Sequence, residues 1–194
     1  MPTSRLEAFS DGVFAIAATL LVLELHVPET EHGLGAGLLA QWPAYVAYVT
    51  SFLTIGIMWV NHHALFQHIR QVDRTFLFVN LLLLMVVSIT PFPTAVLGRY
   101  ATAEQDSHLA AALYGVVMFA MGIAFTLLWQ QANRQRHQSP REGLLFSVGL
   151  VVYLVAIGVS FISAQLAMLM YLLMAVFYVF PWLPRAGTES GGTL

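Results

Sequence analysis

Five long apolar stretches, at about Phe9–Val27, Trp42–Phe66, Phe76–Leu97, Leu109–Trp129 and Leu144–Leu183, decide what this chain can fold into. The first four each run to about 20 residues, long enough as helices to cross about 30 Å of hydrocarbon. The last runs to about 40, about two spans' worth, and so has to fold back once. Its turn is expected near Ser160–Gln165, where Ser160, Ser163 and Gln165 interrupt the apolar run. Of 194 residues, 9% are charged and 58% hydrophobic, whereas a soluble domain carries about a quarter charged residues. A mean hydropathy of +0.74 points the same way.

The expected fold is therefore an all-α membrane protein with six transmembrane helices in one domain, residues 1–184. Residues 185–194, with Gly187, Gly191 and Gly192, are expected to form a short disordered cytoplasmic tail. The first run is longer than the 7–15 residues of a signal-peptide core, and no small-x-small cleavage site follows it, so it reads as a retained helix.

Charge placement tests the count. Every one of the 8 basic residues is Arg. With six spans, Arg5, Arg70, Arg74, Arg134, Arg136, Arg141 and Arg185 fall on one side. Arg99 falls on the other, alongside Glu29, Glu31, Glu104 and Asp106. Basic residues are retained in the cytoplasm, so both termini are expected there.

Composition and motifs also exclude. The absence of cysteine removes disulfides, thiolate metal sites and cysteine nucleophiles. A net charge of −2 offers no basic field for nucleic acid. There is no glycine-rich phosphate loop, H-E-x-x-H motif or nucleophile elbow, so no enzyme is read here.

The first helix carries the most information. At 100° per residue, Leu20 and Leu23 fall within about 40° of Ile16, with Gly12 below them and Thr19 at the margin. By periodicity alone this stripe is ordinary packing or lipid-facing surface. Asp11 lies about 140° from Ile16. A carboxylate facing lipid costs at least about 2.5 kcal/mol. Asp11 is thus either an interfacial helix-start group favoured by the helix dipole or a member of an internal polar network. Trp59, Asn61, His62 and His63 lie near the end of the second span, and Asn80 near the start of the third, with Ser88, Thr90 and Pro91 further along it. Asp11, His62 and Asn80 are expected at similar depth, where hydrogen bonds between helices are plausible. The adjacent histidines point about 100° apart and have no evident third ligand, so no metal site is assigned.

The string Arg5-x-x-x-Phe9-Ser10-Asp11, continuing through Ile16 and Thr19 to Leu23 and Glu24, resembles the signature first helix of the transmembrane protein 175 family of potassium channels, in its bacterial branch. Trp59-x-x-His62, the following His63 and the stretch Ser88-Ile-Thr-Pro91-Phe92-Pro93 support the resemblance. It implies a homotetramer, one six-helix repeat per chain, whose first helices line a central pore in the plasma membrane of a bacterium. There is no Thr-Val-Gly-Tyr-Gly filter in this sequence, as the resemblance implies. Ile16, Thr19 or Leu20, and Leu23 would face the pore. Arg5, Phe9, Ser10, Asp11, Trp59, His62, His63 and Asn80 would form a structural polar network behind it.

On that reading, rings of Ile16 and Leu23 form a hydrophobic gate, and Thr19 offers hydroxyl oxygens to a partly hydrated cation. Glu24 raises the local cation concentration. No cofactor is expected; the permeant species is K+. The alternative is a proton-coupled secondary transporter, or proton pathway, with Asp11 and His62 as a titratable relay.

Overall fold

The structure, a computed structural model, describes residues 3–28, 33–67, 69, 72–133 and 140–180, with 140–147 as backbone only. The expected tail at 185–194 lies outside the described residues, as do Arg70, Arg134, Arg136 and Arg185 and the side chain of Arg141.

Among the described residues all regular secondary structure is helical: α1 Thr3–Leu20, α2 Leu34–Ala40, α3 Trp42–Phe66, α4 Arg74–Ile89, α5 Pro91–Tyr100, α6 Ser107–Asn133, α7 Pro140–Ser160 and α8 Ala164–Val179. Four segments among the described residues are long and apolar enough to cross a membrane: Thr3–Glu24, Trp42–Phe66, Arg74–Tyr100 and Ser107–Asn133. The side-chain-described part of α7, Val148–Ser160, and α8, Ala164–Val179, are apolar as well.

Local chemistry sets the breaks. α1 tightens after Leu20 into a 3-10 turn, Leu21–Glu24. At 3.0 residues per turn, Leu20 and Leu23 eclipse each other there, so the 100° wheel does not hold beyond Leu20. The expected third span, Phe76–Leu97, is two helices. Pro91 has no N–H to donate and its ring crowds the carbonyl one turn back, so α4 closes with Thr90 N–H on Val87 O and α5 starts afresh. Asp73 caps α4, its carboxylate accepting from Phe76 N–H at 2.7 Å. The reversal expected near Ser160–Gln165 lies between α7 and α8, where Ser163 caps α8 by accepting from Leu166 N–H. The short α2 has no counterpart in the sequence reading. It is entered through Gly33 at φ 93°, a backbone setting that favours glycine.

Contacts across the bundle give an alternating arrangement. Ser10 of α1 meets Asn80 of α4, and Asp11 meets Trp59 near the far end of α3. Gln131 near the end of α6 reaches Asp73 before α4. At the opposite end His108 of α6 bonds Ser160 O of α7, and Gln165 of α8 donates to Ala101 O. Arg5 and Arg74, which begin α1 and α4, therefore share one end of the bundle.

α6 is the axis of packing, against α4, α5, α7 and α8. Tyr114, Met118, Met121 and Leu128 on it are fully buried. Gly115 lets α8 approach, since a Cβ there would collide with the Tyr171 hydroxyl, which donates to Ala111 O. α1 sits to one side against α3 and α4, and its 3-10 turn rests on α3 and α5.

Candidate functional site

α1 has two unlike faces. Leu6, Ser10, Phe14 and Ala17 are buried on the side that meets α3 and α4, and Leu21, four residues on, is buried where the 3-10 turn meets α3 and α5. Round the helix, Phe9, Gly12, Ile16, Thr19 and Leu23 form a second stripe of the same spacing that is open to the outside of the bundle. Ile16 is 61% exposed and Leu23 68%, and Leu20 is 41% exposed beside them. The Thr19 hydroxyl donates back to the carbonyls of Ala15 and Ile16 at 3.0 and 2.9 Å. Its oxygen still has acceptor capacity to offer outward.

Behind the buried face runs a chain of hydrogen bonds between three helices. Asn80 Nδ2 donates to Ser10 Oγ at 3.0 Å, and Ser10 Oγ donates to Leu6 O at 2.9 Å. The Asn80 amide oxygen is left to accept, and His62 Nε2 stands 2.8 Å from it. That direction fixes the imidazole as the Nε2–H tautomer, a choice dictated by the network. The other ring nitrogen, Nδ1, is buried without a partner among the described residues. The ring itself is held between Phe14 and Phe66, with centroids 5.3 and 4.4 Å away.

A second pair of contacts lies nearer the surface. Trp59 Nε1 donates to Asp11 Oδ1 at 2.8 Å. His63 Nδ1 stands 3.0 Å from Glu7 Oε1, with its ring stacked on Trp59. Glu7 was not singled out in the sequence. Its position one helical turn before Asp11, on the face that meets Trp59 and His63, is the signal that marks it.

Not every residue named from sequence joins these contacts. Phe9 is 55% exposed and belongs to the outward stripe, not the network, because it sits about 100° round the helix from Ser10. Arg5 is exposed and has no hydrogen-bond or ion-pair partner among the described residues. The Ser88 and Thr90 hydroxyls donate only to carbonyls of α4. Asp11 and His62 are held by different partners, Trp59 and Asn80, so no hydrogen bond among the described residues links them as a relay.

Residues 5–91, which carry both the outward stripe and its backing network, match the family described as endosomal/lysosomal potassium channel TMEM175. The chain is 47% identical over 97% of its length to a Streptomyces collinus protein named a potassium channel, covering 97% of that protein. The chain belongs to the TMEM175 family. A Chamaesiphon minutus relative, also named a potassium channel, is 41% identical over 91% of this chain and 93% of its own. The crystal structure of a lysosomal potassium-selective channel TMEM175 homologue from Chamaesiphon minutus superimposes with a TM-score of 0.86 at 43% identity, covering 91% of this chain and 96% of that one. These relatives are named as ion channels, not as enzymes. The matched residues include α1, α3 and α4, the three helices that the hydrogen bonds tie together.

Proposed function

We propose that this chain is one subunit of a homotetrameric, potassium-permeable cation channel with a hydrophobic constriction on α1. It works without a cofactor. The observation that carries the reading is the two-faced α1, whose buried side is pinned by polar bonds to α3 and α4 while an apolar stripe with a hydroxyl margin is left uncovered. In a bilayer such a stripe faces either lipid or a pore shared with other copies, and the relatives named potassium channels favour the pore. Four copies around an axis would bring the Ile16 and Leu23 side chains into two rings. When the rings are narrow, an ion cannot enter without losing hydration to hydrocarbon, and water leaves the constriction. When the helices move apart, the rings wet, and Thr19 can offer oxygen to a partly hydrated cation.

Six membrane spans with both termini in the cytoplasm fit the arginine distribution and the alternating helices. A bacterial plasma membrane fits the Streptomyces and Chamaesiphon relatives. Closed cyclic assembly is the usual way for single helices to enclose a pore. Planar-bilayer recording of the purified protein in asymmetric potassium and sodium tests the function. Passive current reversing toward the potassium equilibrium potential is expected. Saturable, proton-coupled solute uptake without such current would replace the channel by a transporter.

A further inference from the structure

α5 takes its place without a continuous helix behind it. Pro91 has no N–H, so the carbonyls before the break need other partners. Thr90 supplies two, its hydroxyl donating to Val86 O and its N–H to Val87 O, each at 3.2 Å. The direction of α5 is then set by what it packs on: α3, α6 and the 3-10 turn of α1. Gly98 brings α5 close to α3, since a Cβ there would stand 2.9 Å from Ala44 Cα.

A chain of hydroxyls fixes that packing. Thr94 Oγ1 donates its one hydrogen to Thr90 O at 2.8 Å. Ser51 Oγ of α3, 2.7 Å away, therefore donates to Thr94 Oγ1. Tyr114 of α6 in turn donates to Ser51 Oγ at 3.0 Å. All three side chains are buried. The chain runs one way, from α6 through α3 into α5, and ends at the proline break. It shares no residue with the Ser10–Asn80–His62 network.

We infer that Tyr114, Ser51 and Thr94 are positioning residues for the outer constriction: by fixing α5 they fix the 3-10 turn that carries Leu23. Leu21 is fully buried in that turn where it meets α3 and α5, so a shift of α5 carries the turn with it. Ser10, Asn80 and His62 hold the half of α1 that begins near Arg5, and Ile16 belongs with that half. The two proposed rings thus have separate anchors, and the Leu23 ring loosens when the hydroxyl chain is cut while the Ile16 ring keeps its place. The three residues touch no ion; they act through α5. The effect on current rests on the channel reading, whereas the effect on the turn does not.

Thr94→Val keeps the side chain's shape and cuts the link, and the freed Ser51 hydroxyl turns back to a carbonyl of its own helix, so no hydrogen is stranded. The chain has no cysteine, so nitroxide labels sit only where cysteines are introduced. Val22→Cys with Ile162→Cys reports the far end of one subunit and Ala8→Cys with Gln130→Cys the end near Arg5; all four positions are exposed. Spin–spin distances are read in nanodiscs, with labelled subunits diluted by unlabelled ones. Thr94→Val should widen the Val22–Ile162 distribution about twofold and leave Ala8–Gln130 unchanged, as expected of a local loosening. Ser10→Ala should do the reverse. Thr94→Ser retains the hydroxyl and should restore the narrow distribution. Should Thr94→Val not assemble, Tyr114→Phe cuts the same chain one bond earlier and should act in the same direction. Basal current should rise about fivefold in Thr94→Val, the population shift that one hydrogen bond can make. An unmoved Val22–Ile162 distance, equal widening at both ends, or a Thr94→Ser variant that behaves like Thr94→Val overturns the positioning role. The expected distances in a protein that passes no current would keep that role and remove the channel reading.

Discussion

Asn80 Nδ2 lies 3.0 Å from Ser10 Oγ, and this bond couples two helices separated by 70 residues of sequence. Because Asn80 also accepts from His62, a single amide satisfies groups on both α1 and α3. All three side chains are buried, so none of them can turn to water if the amide is lost.

Asn80→Leu keeps the branched shape but strands the His62 Nε2–H. It should destabilise the solubilised protein by about 1–3 kcal/mol, the cost of an unmade buried hydrogen bond. Ser10→Ala strands the Asn80 Nδ2–H instead, at a similar cost. The double variant should lose less than the sum of the two, since each single change already removes the shared bond. Thermal unfolding of the four proteins measures this. Strictly additive losses would mean that the pair does not act as a unit.

Asp11→Ala removes the acceptor of the Trp59 indole at 2.8 Å. Asp11 is half-buried and its partner is neutral, so the loss is that of a charge-assisted hydrogen bond, about 1.5–3 kcal/mol, and not that of a buried ion pair. The expected phenotype is a smaller assembled fraction with unchanged ion preference, partly restored by Asp11→Asn. Normal assembly combined with an altered reversal potential would place Asp11 on the ion path instead.

The sequence made the long spans and the two faces of α1 legible because hydropathy and a 100° wheel read continuous helix well. Trp42–Phe66 is α3 to the residue. The wheel failed where the backbone left the α form. Nothing in the residues of Leu21–Glu24 announces a 3-10 turn, which arises where the end of α1 packs on α3 and α5. Leu21 shows the consequence of packing most clearly. The wheel turns it away from Ile16, which would suit a lipid-facing control position, yet it is fully buried within the subunit. Periodicity separates faces but does not say which neighbour covers each one. The same limit hid Glu7 and placed Phe9 in the network. Asn80, Ser10 and His62 could be grouped by depth, but the direction of their hydrogen bonds needed coordinates.

The proposed six-span topology is tested with reporters. A reporter fused after Leu194 should read cytoplasmic, and one inserted at Glu104, in the turn between α5 and α6, should read external. An external signal at Leu194 would exclude an even number of spans with a cytoplasmic N-terminus.

Assembly is the next test. The mass of the purified protein in nanodiscs should correspond to four copies, because one α1 cannot enclose a path by itself. A monomer that passes selective current would remove the central pore.

Ile16 gives the sharpest test of the pore face. It is 61% exposed from the subunit, so a polar residue there need not disturb the subunit core. Ile16→Asn would place four amides at the proposed constriction and favour water within it. The amides add no charge, so increased flux could not be attributed to electrostatic attraction. Basal cation conductance should rise, with weaker potassium preference, because a wetter pore strips less water from the ion. Leu23→Asn should act in the same direction if the two rings share the barrier. Ile16→Ala is less decisive, since it widens the pore while leaving it apolar. Leu21→Asn would bury an amide in the core and should reduce assembly, so it cannot serve as the control. Val151 can: it is 60% exposed on α7, which packs on α6 and α8 rather than α1. Val151→Asn should leave permeation unchanged. Single-channel recordings of assembled protein decide among these outcomes. An unchanged conductance and reversal potential in Ile16→Asn, together with altered permeation in Val151→Asn, would move the pore away from α1.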